Sequence, residues 1–375
     1  MKIQGTWHRS LSETSEGGIS IIDQRWLPHE LRWVKLSSLE QAVQAITEMW
    51  TRGAPLLAAV AAYGLCFGLE RDASDAALAT AYDRLLATRP TAVNLRWALD
   101  HIRRGVSPLP EAERATQARS IARAICDDEV ATNQAIGHHG LTLIQAVAAT
   151  KPPGQPINIL THCNAGWLAT VDWGTALAPI YRAHDAGLSV HVYVDETRPR
   201  NQGASLTAWE LANHGVPFTL VVDNAGGHLM QHGLVDLCLV GTDRVTARGD
   251  VCNKIGTYLK ALAARDNGVP FYVALPYTTI DWTLQDGLTE IPIEQRSQEE
   301  VTHLWGKTLA GEMTSVQITL DGVATANYGF DVTPARLVTA LITERGVVPA
   351  TAEGLASLYN HPPYLGQLPT LLPSL

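Results

Sequence analysis

The sequence predicts an α/β protein in two parts. A small, mainly helical amino-terminal domain with short leading strands covers residues 1–150, and an α/β domain with a parallel sheet covers 151–375. Three observations predict this. Strand signal is almost absent between residues 36 and 150, where apolar residues recur at helical spacing. From Ile157 onward, short β-rich runs alternate with helical patterns, the mark of a parallel sheet covered on both faces. Between the two regimes lies Thr150-Lys-Pro-Pro-Gly-Gln-Pro156, which has the composition of a linker.

The first 25 or so residues read as short strands, with Gly17-Gly18 as a turn. Ser37 and Glu40 fit a capping box, and Leu39, Val43, Ile46 and Trp50 follow at helical spacing. Further helices are expected over 54–68, 75–87, 91–104 and 110–147. The expected strands are 157–162, 189–194, 218–222, 237–241 and 271–275, with helices near 166–186, 203–214, 226–232 and 250–267. Thr333-Pro334 is expected to cap another helix that Gly346 ends. The Pro- and Leu-rich residues from Asn360 are expected to run along the surface.

At 375 residues, with 46% hydrophobic and 17% charged, the chain can bury a sizeable core and wholesale disorder is excluded. Lys+Arg is 28 and Asp+Glu is 37, a net charge of −9, so a uniformly basic nucleic-acid binder is not expected. The five cysteines are odd in number, widely spaced and lack a CxxC, which argues against a disulfide framework or a cysteine-rich zinc site. A reducing cytoplasm is the expected compartment, since the first residues lack the apolar core of a signal peptide. The longest apolar stretch, Ala54 to Leu69, contains Pro55, Gly64 and Gly68 and reads as a buried helix, not a membrane span.

In an open α/β sheet, ligands bind outside the carboxyl ends of the strands. The polar clusters fall at those ends: His162-Cys163-Asn164, Asp195 to Pro199 with Gln202-Gly203, Asp223-Asn224, and Thr242-Asp243-Arg244. Cys163, between a strand end and a helix start, is either a reactive thiol activated by the helix terminus or a buried structural cysteine. Asp243 follows an apolar run; desolvation would raise its pKa toward use as a general acid, or it is an N-cap or the partner of Arg244. Lys254, expected one helical turn beyond Gly249-Asp250 beside Asn253, either reaches an anion or is solvated. Asp223-Asn224 reads equally well as a turn.

Arg52-Gly53-Ala54-Pro55 precedes an apolar helix, with Pro55 suited to its first turn. Glycine admits an anion to backbone N–H groups, the helix dipole favours it, and arginine can fork onto two phosphate oxygens. Arg89-Pro90-Thr91 repeats that arrangement. With Lys254, these suggest a sugar phosphate or similar substrate between the domains. No GxGxxG or GxxxxGK[ST] is present, so a dinucleotide or nucleoside triphosphate is not indicated.

Arg52-Gly-Ala-Pro55, Arg89 to Leu95, Leu160-Thr-His-Cys-Asn164, Asp195-Glu-Thr-Arg-Pro199 with Gln202-Gly203, and Gly249 to Thr257 occur in one order along the chain. Ile291 to Arg296, Glu300 to His303 and Phe330 to Pro334 continue it. In these motifs the chain resembles the methylthioribose-1-phosphate isomerases, an initiation factor 2B-like isomerase family, over about Ile21 to Val348. The resemblance implies a homodimer, a Rossmann-like carboxy-terminal domain, no metal and no nucleotide cofactor. It implies isomerisation of 5-methylthioribose 1-phosphate to 5-methylthioribulose 1-phosphate in methionine salvage. Carried over by motif, Asp243 is the proton donor and Cys163 the second catalytic residue; Arg52, Gly53, Ala54, Arg89, Gln202, Asn253 and Lys254 bind substrate.

The chain departs from the family pattern at Asn164-Ala-Gly-Trp167, where Trp167 could reshape the pocket, at Tyr277, and at Arg200-Asn201. These departures bear on the 5-substituent, so 5-deoxyribose 1-phosphate is the nearest alternative substrate. Ribose 1,5-bisphosphate would need a further basic site, for which Arg198 and Arg200 are available. A non-enzymatic alternative is a binding scaffold like the regulatory subunits of initiation factor 2B; retention of Cys163 and Asp243 argues against it.

Overall fold

The computed structural model describes residues 1–89 and 92–359. Pro90, Thr91 and the segment from Asn360, for which a surface path is expected, lie outside the described residues.

Five helices fill the stretch read as helical: α1 (Leu39–Thr47), α2 (Ala54–Arg71), α3 (Asp75–Thr88), α4 (Val93–Val106) and α5 (Glu111–Ala148). The cap of α1 is Ser38, one residue later than expected: its hydroxyl accepts from the Gln41 N–H, while Gln41 Oε1 reaches back to the Ser37 N–H at 2.7 Å. Gln41, not Glu40, thus stands at the third helical position that the box requires. α2 is long and apolar enough to cross a membrane by length and composition. Its side chains instead pack against α1, α3, α4 and α5, with Leu56, Ala59, Val60, Leu65 and Cys66 fully enclosed. Each such leucine or valine contributes ~1.5–3 kcal/mol by leaving water. An antiparallel meander of Leu11–Glu13, Ile19–Ile22 and Trp33–Leu36 closes this core, with Gly17 (φ 86°) making the turn.

The carboxy-terminal part is built on a seven-stranded sheet. Its spatial order is Phe218–Val221, Val190–Asp195, Ile157–Thr161, Leu237–Val240, Phe271–Ala274, Ala340–Thr343 and Gly346–Val348. All neighbours are parallel except the last pair, a tight hairpin. In chain order that is 3-2-1-4-5-6-7, the doubly wound Rossmann arrangement with one added edge strand. The chain reverses direction of growth between Ile157–Thr161 and Leu237–Val240, which makes the crevice outside their carboxyl ends the place for a ligand. Helices α6 (Leu177–Asp185), α7 (Ala208–His214), α8 (Ala225–Gln231) and α9 (Thr257–Asp266) cover the sheet. α5 serves both cores: Ala118, Ala122 and Val130 pack with the amino-terminal helices, and Ile136 and Ile144 with the sheet.

Three expected helices are corrected. Over 166–186 only Leu177–Asp185 is α-helical; Trp167–Ala169 is a single 3₁₀ turn in a loop folded around Glu210. Over 250–267 the helix begins at Thr257, because Val251–Lys254 is a strand paired antiparallel with Arg244–Thr246 and Phe330–Thr333. Gly249 (φ 91°) makes that turn, and the Asp250 carboxylate accepts from the Gly287 and Ala335 N–H groups. After Pro334 there is one 3₁₀ turn, Ala335–Leu337; the apolar run Ala340–Thr343 joins the sheet, where Leu341 and Ile342 are buried on both faces. Gly346 (φ 144°) therefore ends no helix and sits in the edge hairpin.

Candidate active site

Cys163 and Asp243 leave the two strands that flank the reversal point. Cys163 lies two residues beyond Ile157–Thr161 and Asp243 three beyond Leu237–Val240. Cys163 adopts the left-handed conformation (φ 65°), uncommon for a residue with a side chain. Both of its backbone groups are taken by side chains: its N–H donates to Thr197 Oγ1 at 2.8 Å and its carbonyl accepts from the Thr207 hydroxyl at 2.7 Å. That pair holds the strained turn in place.

The amino-terminal part supplies the opposite wall. Gly53 (φ 92°) is the N-cap of α2, and Pro55 stands in its first turn, as the sequence suggests. A Cβ on Gly53 would lie 2.3 Å from the Ala169 carbonyl oxygen, so only glycine lets the two parts meet so closely. Arg52 then crosses the junction. Its Nη1 donates to Asn164 Oδ1 at 2.8 Å and to the Asn164 carbonyl at 2.5 Å, and its Nη2 stands 3.6 Å from Cys163 Sγ. Gln202 Oε1 lies 3.5 Å from the same sulfur.

The cleft between these walls is lined by Arg52, Gly53, Ala54, Arg89, Gln202, Asp243 and Lys254, seven of the nine expected site residues. Cys163 sits just behind Arg52 and Gln202. Asn253 does not line it: its amide donates to Thr257 Oγ1 at 3.0 Å and ties the strand to α9. Trp167 is buried in the core against Trp209, and Tyr277 packs edge-on to Trp97; neither reaches the cleft. Cys163 meets no helix start, since the turn at Trp167 follows four residues later; the positive charges near its sulfur are those of Arg52 and Lys254. Asp223 is more than a turn residue, because its carboxylate accepts from the Thr197 and Arg198 N–H groups, both at 2.7 Å.

Part of the lining lies outside the nine expected site residues, although the sequence offers Arg200 for a further basic site and sets Arg244 in the Asp243 cluster. Arg200, Arg244 and Arg296 add positive charge, while Met49, Leu57, Ile291, Pro292 and Phe330 form an apolar portion. Arg296 lies within the Ile291 to Arg296 motif, but nothing local assigns it to a pocket. Among the described lining residues, Asp243 is the one acid. Arg200 and Arg296 both bind Glu300, at 2.7 and 2.9 Å, and Arg89 lies 3.6 Å from Glu294. Burial alone would raise the Glu300 carboxyl; hydrogen bonds from Arg296 and Arg200 outweigh it and hold it down to about 2.

Burial pushes the Asp243 carboxyl above its ordinary value, with Lys254, Arg52 and Arg89 pulling the other way. Asp243 keeps some exposed area, which is its face to the cleft. Burial likewise lowers the Lys254 ammonium, against Cys163 and Asp243, which favour its charge. Lys254 Nζ donates to the Gly329 carbonyl at 2.9 Å and stands 4.8 Å from the Phe330 ring centroid. The result is an acid that retains its proton more readily than a free carboxyl, facing a cationic wall.

Behind the cleft, His162, Asp195 and Asp223 bring three ligand atoms within 4.8 Å of one another. They are already committed. His162 Nδ1 lies 2.8 Å from Asp195 Oδ2 and its Nε2 lies 2.8 Å from the Ile255 carbonyl; Lys260 Nζ lies 3.1 Å from Asp195 Oδ2. Lys260 thus sets a protein cation beside the Asp195 carboxylate, and the cluster braces the loops that carry Cys163 and Thr197.

The profile of the Initiation factor 2 subunit family matches residues 50–350. A methylthioribose-1-phosphate isomerase of Rhodospirillum rubrum is 62% identical over 364 residues, 96% of this chain and 93% of that protein. The crystal structure of 5-methylthioribose 1-phosphate isomerase from Pyrococcus horikoshii OT3 superposes with a TM-score of 0.81 at 39% identity, covering 95% of this chain and 96% of that one. A structure described as translation initiation factor eIF-2B, subunit delta, from A. fulgidus gives 0.77 at 35% identity, covering 95% and 100%.

Proposed function

The chain belongs to the Initiation factor 2 subunit family, and we infer that within it the chain is an aldose–ketose isomerase, converting 5-methylthioribose 1-phosphate to 5-methylthioribulose 1-phosphate in methionine salvage. The observation that carries this reading is the placement of Asp243, a carboxyl raised by burial, at the reversal point of the sheet and opposite Arg52, Arg89 and Lys254.

The chemistry needs those types. The phosphate on the anomeric carbon locks the sugar as a ring. Asp243 protonates the ring oxygen as the bond from that oxygen to C1 breaks. Hydrogen then moves from C2 to C1, as a hydride or as a proton through an enediol, while the Asp243 carboxylate takes up the C2 hydroxyl proton and C2 becomes the ketone. Cys163 assists at C1 and C2. Arg52, Arg89 and Lys254 hold the phosphate, with charged hydrogen bonds of ~1.5–3 kcal/mol each. The apolar portion formed by Met49, Leu57, Ile291 and Phe330 suits an uncharged 5-substituent. A 5-phosphate is disfavoured, because Glu300 already engages Arg200 and Arg296.

The test is the specificity constant for 5-methylthioribose 1-phosphate beside that for 5-deoxyribose 1-phosphate. A higher constant for the first supports the salvage reading; preference for the second keeps the reaction and moves the substrate. A binding scaffold, toward which the A. fulgidus likeness points, requires a folded protein that turns over neither. We further propose a cytoplasmic homodimer. The family resemblance supports the dimer, and five free cysteines suit a reducing compartment. A light-scattering mass equal to one chain would count against the dimer.

A further inference from the structure

We propose that Glu210 is a positioning residue for this site, holding Arg52 beside Cys163 by way of Asn164; the proposal rests on the isomerase reading of the cleft. Glu210 lies on α7, is fully enclosed and does not line the cleft. Its carboxylate accepts four hydrogen bonds. Oε1 takes Asn164 Nδ2 at 2.8 Å and the Leu168 N–H at 3.0 Å; Oε2 takes the Trp167 N–H at 2.8 Å and the Tyr181 hydroxyl at 2.7 Å. Burial favours the protonated form, but the two backbone donors cannot be turned around, so each oxygen must accept. The loop is moulded on this group: a Cβ at Gly166 would lie 1.9 Å from Oε2.

The carboxylate decides which way the Asn164 amide faces. Thr207 gives its hydroxyl proton to the Cys163 carbonyl and so meets Asn164 Nδ2, at 3.2 Å, as an acceptor. With Glu210 Oε1 and Thr207 Oγ1 both accepting from Nδ2, Oδ1 is left facing Arg52 Nη1. A flipped amide would set its NH₂ against the guanidinium. A glutamine at 210 would fill the same volume at less desolvation cost, but it cannot accept at both ends. Both accepting oxygens thus serve orientation: Glu210 fixes Asn164, Asn164 fixes Arg52, and Arg52 Nη2 stands beside Cys163 Sγ.

The test is steady-state kinetics on 5-methylthioribose 1-phosphate with Glu210→Gln, Tyr181→Phe, Asn164→Ala and the Glu210→Gln/Asn164→Ala pair. Displacing Arg52 should lower kcat/KM about 10–10²-fold in Glu210→Gln, with KM raised as well as kcat lowered. Tyr181→Phe removes one of the four donors without touching Asn164. It should lower the melting temperature yet keep kcat/KM within about twofold of wild type. In the Asn164→Ala background, Glu210→Gln should add little further loss, because the two act through one path. Near-wild-type kinetics for Glu210→Gln, losses that multiply in the pair, or an activity loss in Tyr181→Phe matching its stability loss would each overturn the proposal. Should Glu210→Gln fail to fold, Asn164→Asp carries the test. A second carboxylate facing Glu210 should lower kcat/KM and raise KM, and unchanged constants overturn the proposal. If wild type itself turns over no sugar phosphate, the isomerase reading falls, and this proposal with it; an active wild type with an indifferent Glu210→Gln sinks only the latter.

Discussion

Replacing Glu129 by glutamine should remove a pH dependence of stability that the junction of the two parts imposes. Glu129 lies on α5. Its carboxyl accepts from Asn133 Nδ2 and, at 3.0 Å, from the Val171 N–H. Burial, aided by the nearby Asp172 charge, pushes this carboxyl up to about 8, against an ordinary value of 4.5. Between those values the fold keeps Glu129 protonated while the unfolded chain ionises it. The unfolded state then binds fewer protons, so stability falls as pH rises through that window. At pH 7 the loss relative to pH 4 has a ceiling of about 3 kcal/mol, reduced by whatever solvent reaches this half-buried residue. Glutamine does not titrate. Its carbonyl can accept from Val171, and its NH₂ can meet Asn133 Oδ1, which is buried without a partner, once that amide turns over. Urea melts of wild type and Glu129→Gln at pH 5, 6.5 and 8 should diverge, with the variant gaining most at pH 8. The other titrating groups act on both proteins and cancel in the difference. Parallel curves at all three pH values would refute the reasoning.

Asp243→Asn should lower kcat by ~10²–10⁴ with the melting temperature held or raised, since a buried acid is replaced by an isostere; near-normal turnover would remove Asp243 as the acid. Because burial raises that carboxyl, wild-type kcat should hold at low pH and fall as pH rises through its folded value, and Asp243→Asn should flatten that limb. Arg52→Ala should raise KM and also lower kcat, because the same guanidinium meets Cys163; an unchanged KM counts against a phosphate role. Gly53→Ala should destabilise the fold by about 2 kcal/mol or more, since its Cβ would meet the Ala169 carbonyl; thermal melts within about a degree of wild type would show that the junction yields.

The amino-terminal helices were legible because their signals are local. The continuous apolar run Ala54 to Leu69 and Pro55 in the first turn need no distant partner to be read. In the main sheet, Ala340–Thr343 and Gly346–Val348 fell on an expected helix and its end, but the other five strands were legible for the same reason, as short β-rich runs. The second sheet was not. Arg244–Thr246, Val251–Lys254, Ile280–Asp281 and Phe330–Thr333 are two to four residues long, and beyond the hairpin of the first two their pairing joins segments far apart in sequence. Asn253 and Lys254 consequently fell on an expected helix, and only Lys254 reaches the cleft. Cys163 was read as lying at a helix start, whereas its setting is tertiary: a left-handed turn pinned by Thr197 and Thr207, and a guanidinium from the other part of the chain. The one local sign of Glu210 is a carboxylate between Leu206 and Leu211 on a covered helix, which asks for several hydrogen-bond donors without saying which.

The most direct measurement is a proton NMR time course of the purified protein with 5-methylthioribose 1-phosphate in D₂O. The account predicts loss of the anomeric C1 signal and growth of the ketose C1 methylene, at a rate lowered ~10²–10⁴-fold in Asp243→Asn. Deuterium at C1 would choose the enediol, and its absence a hydride or shielded proton. A folded wild-type protein that leaves the sugar phosphate unchanged would contradict the central claim.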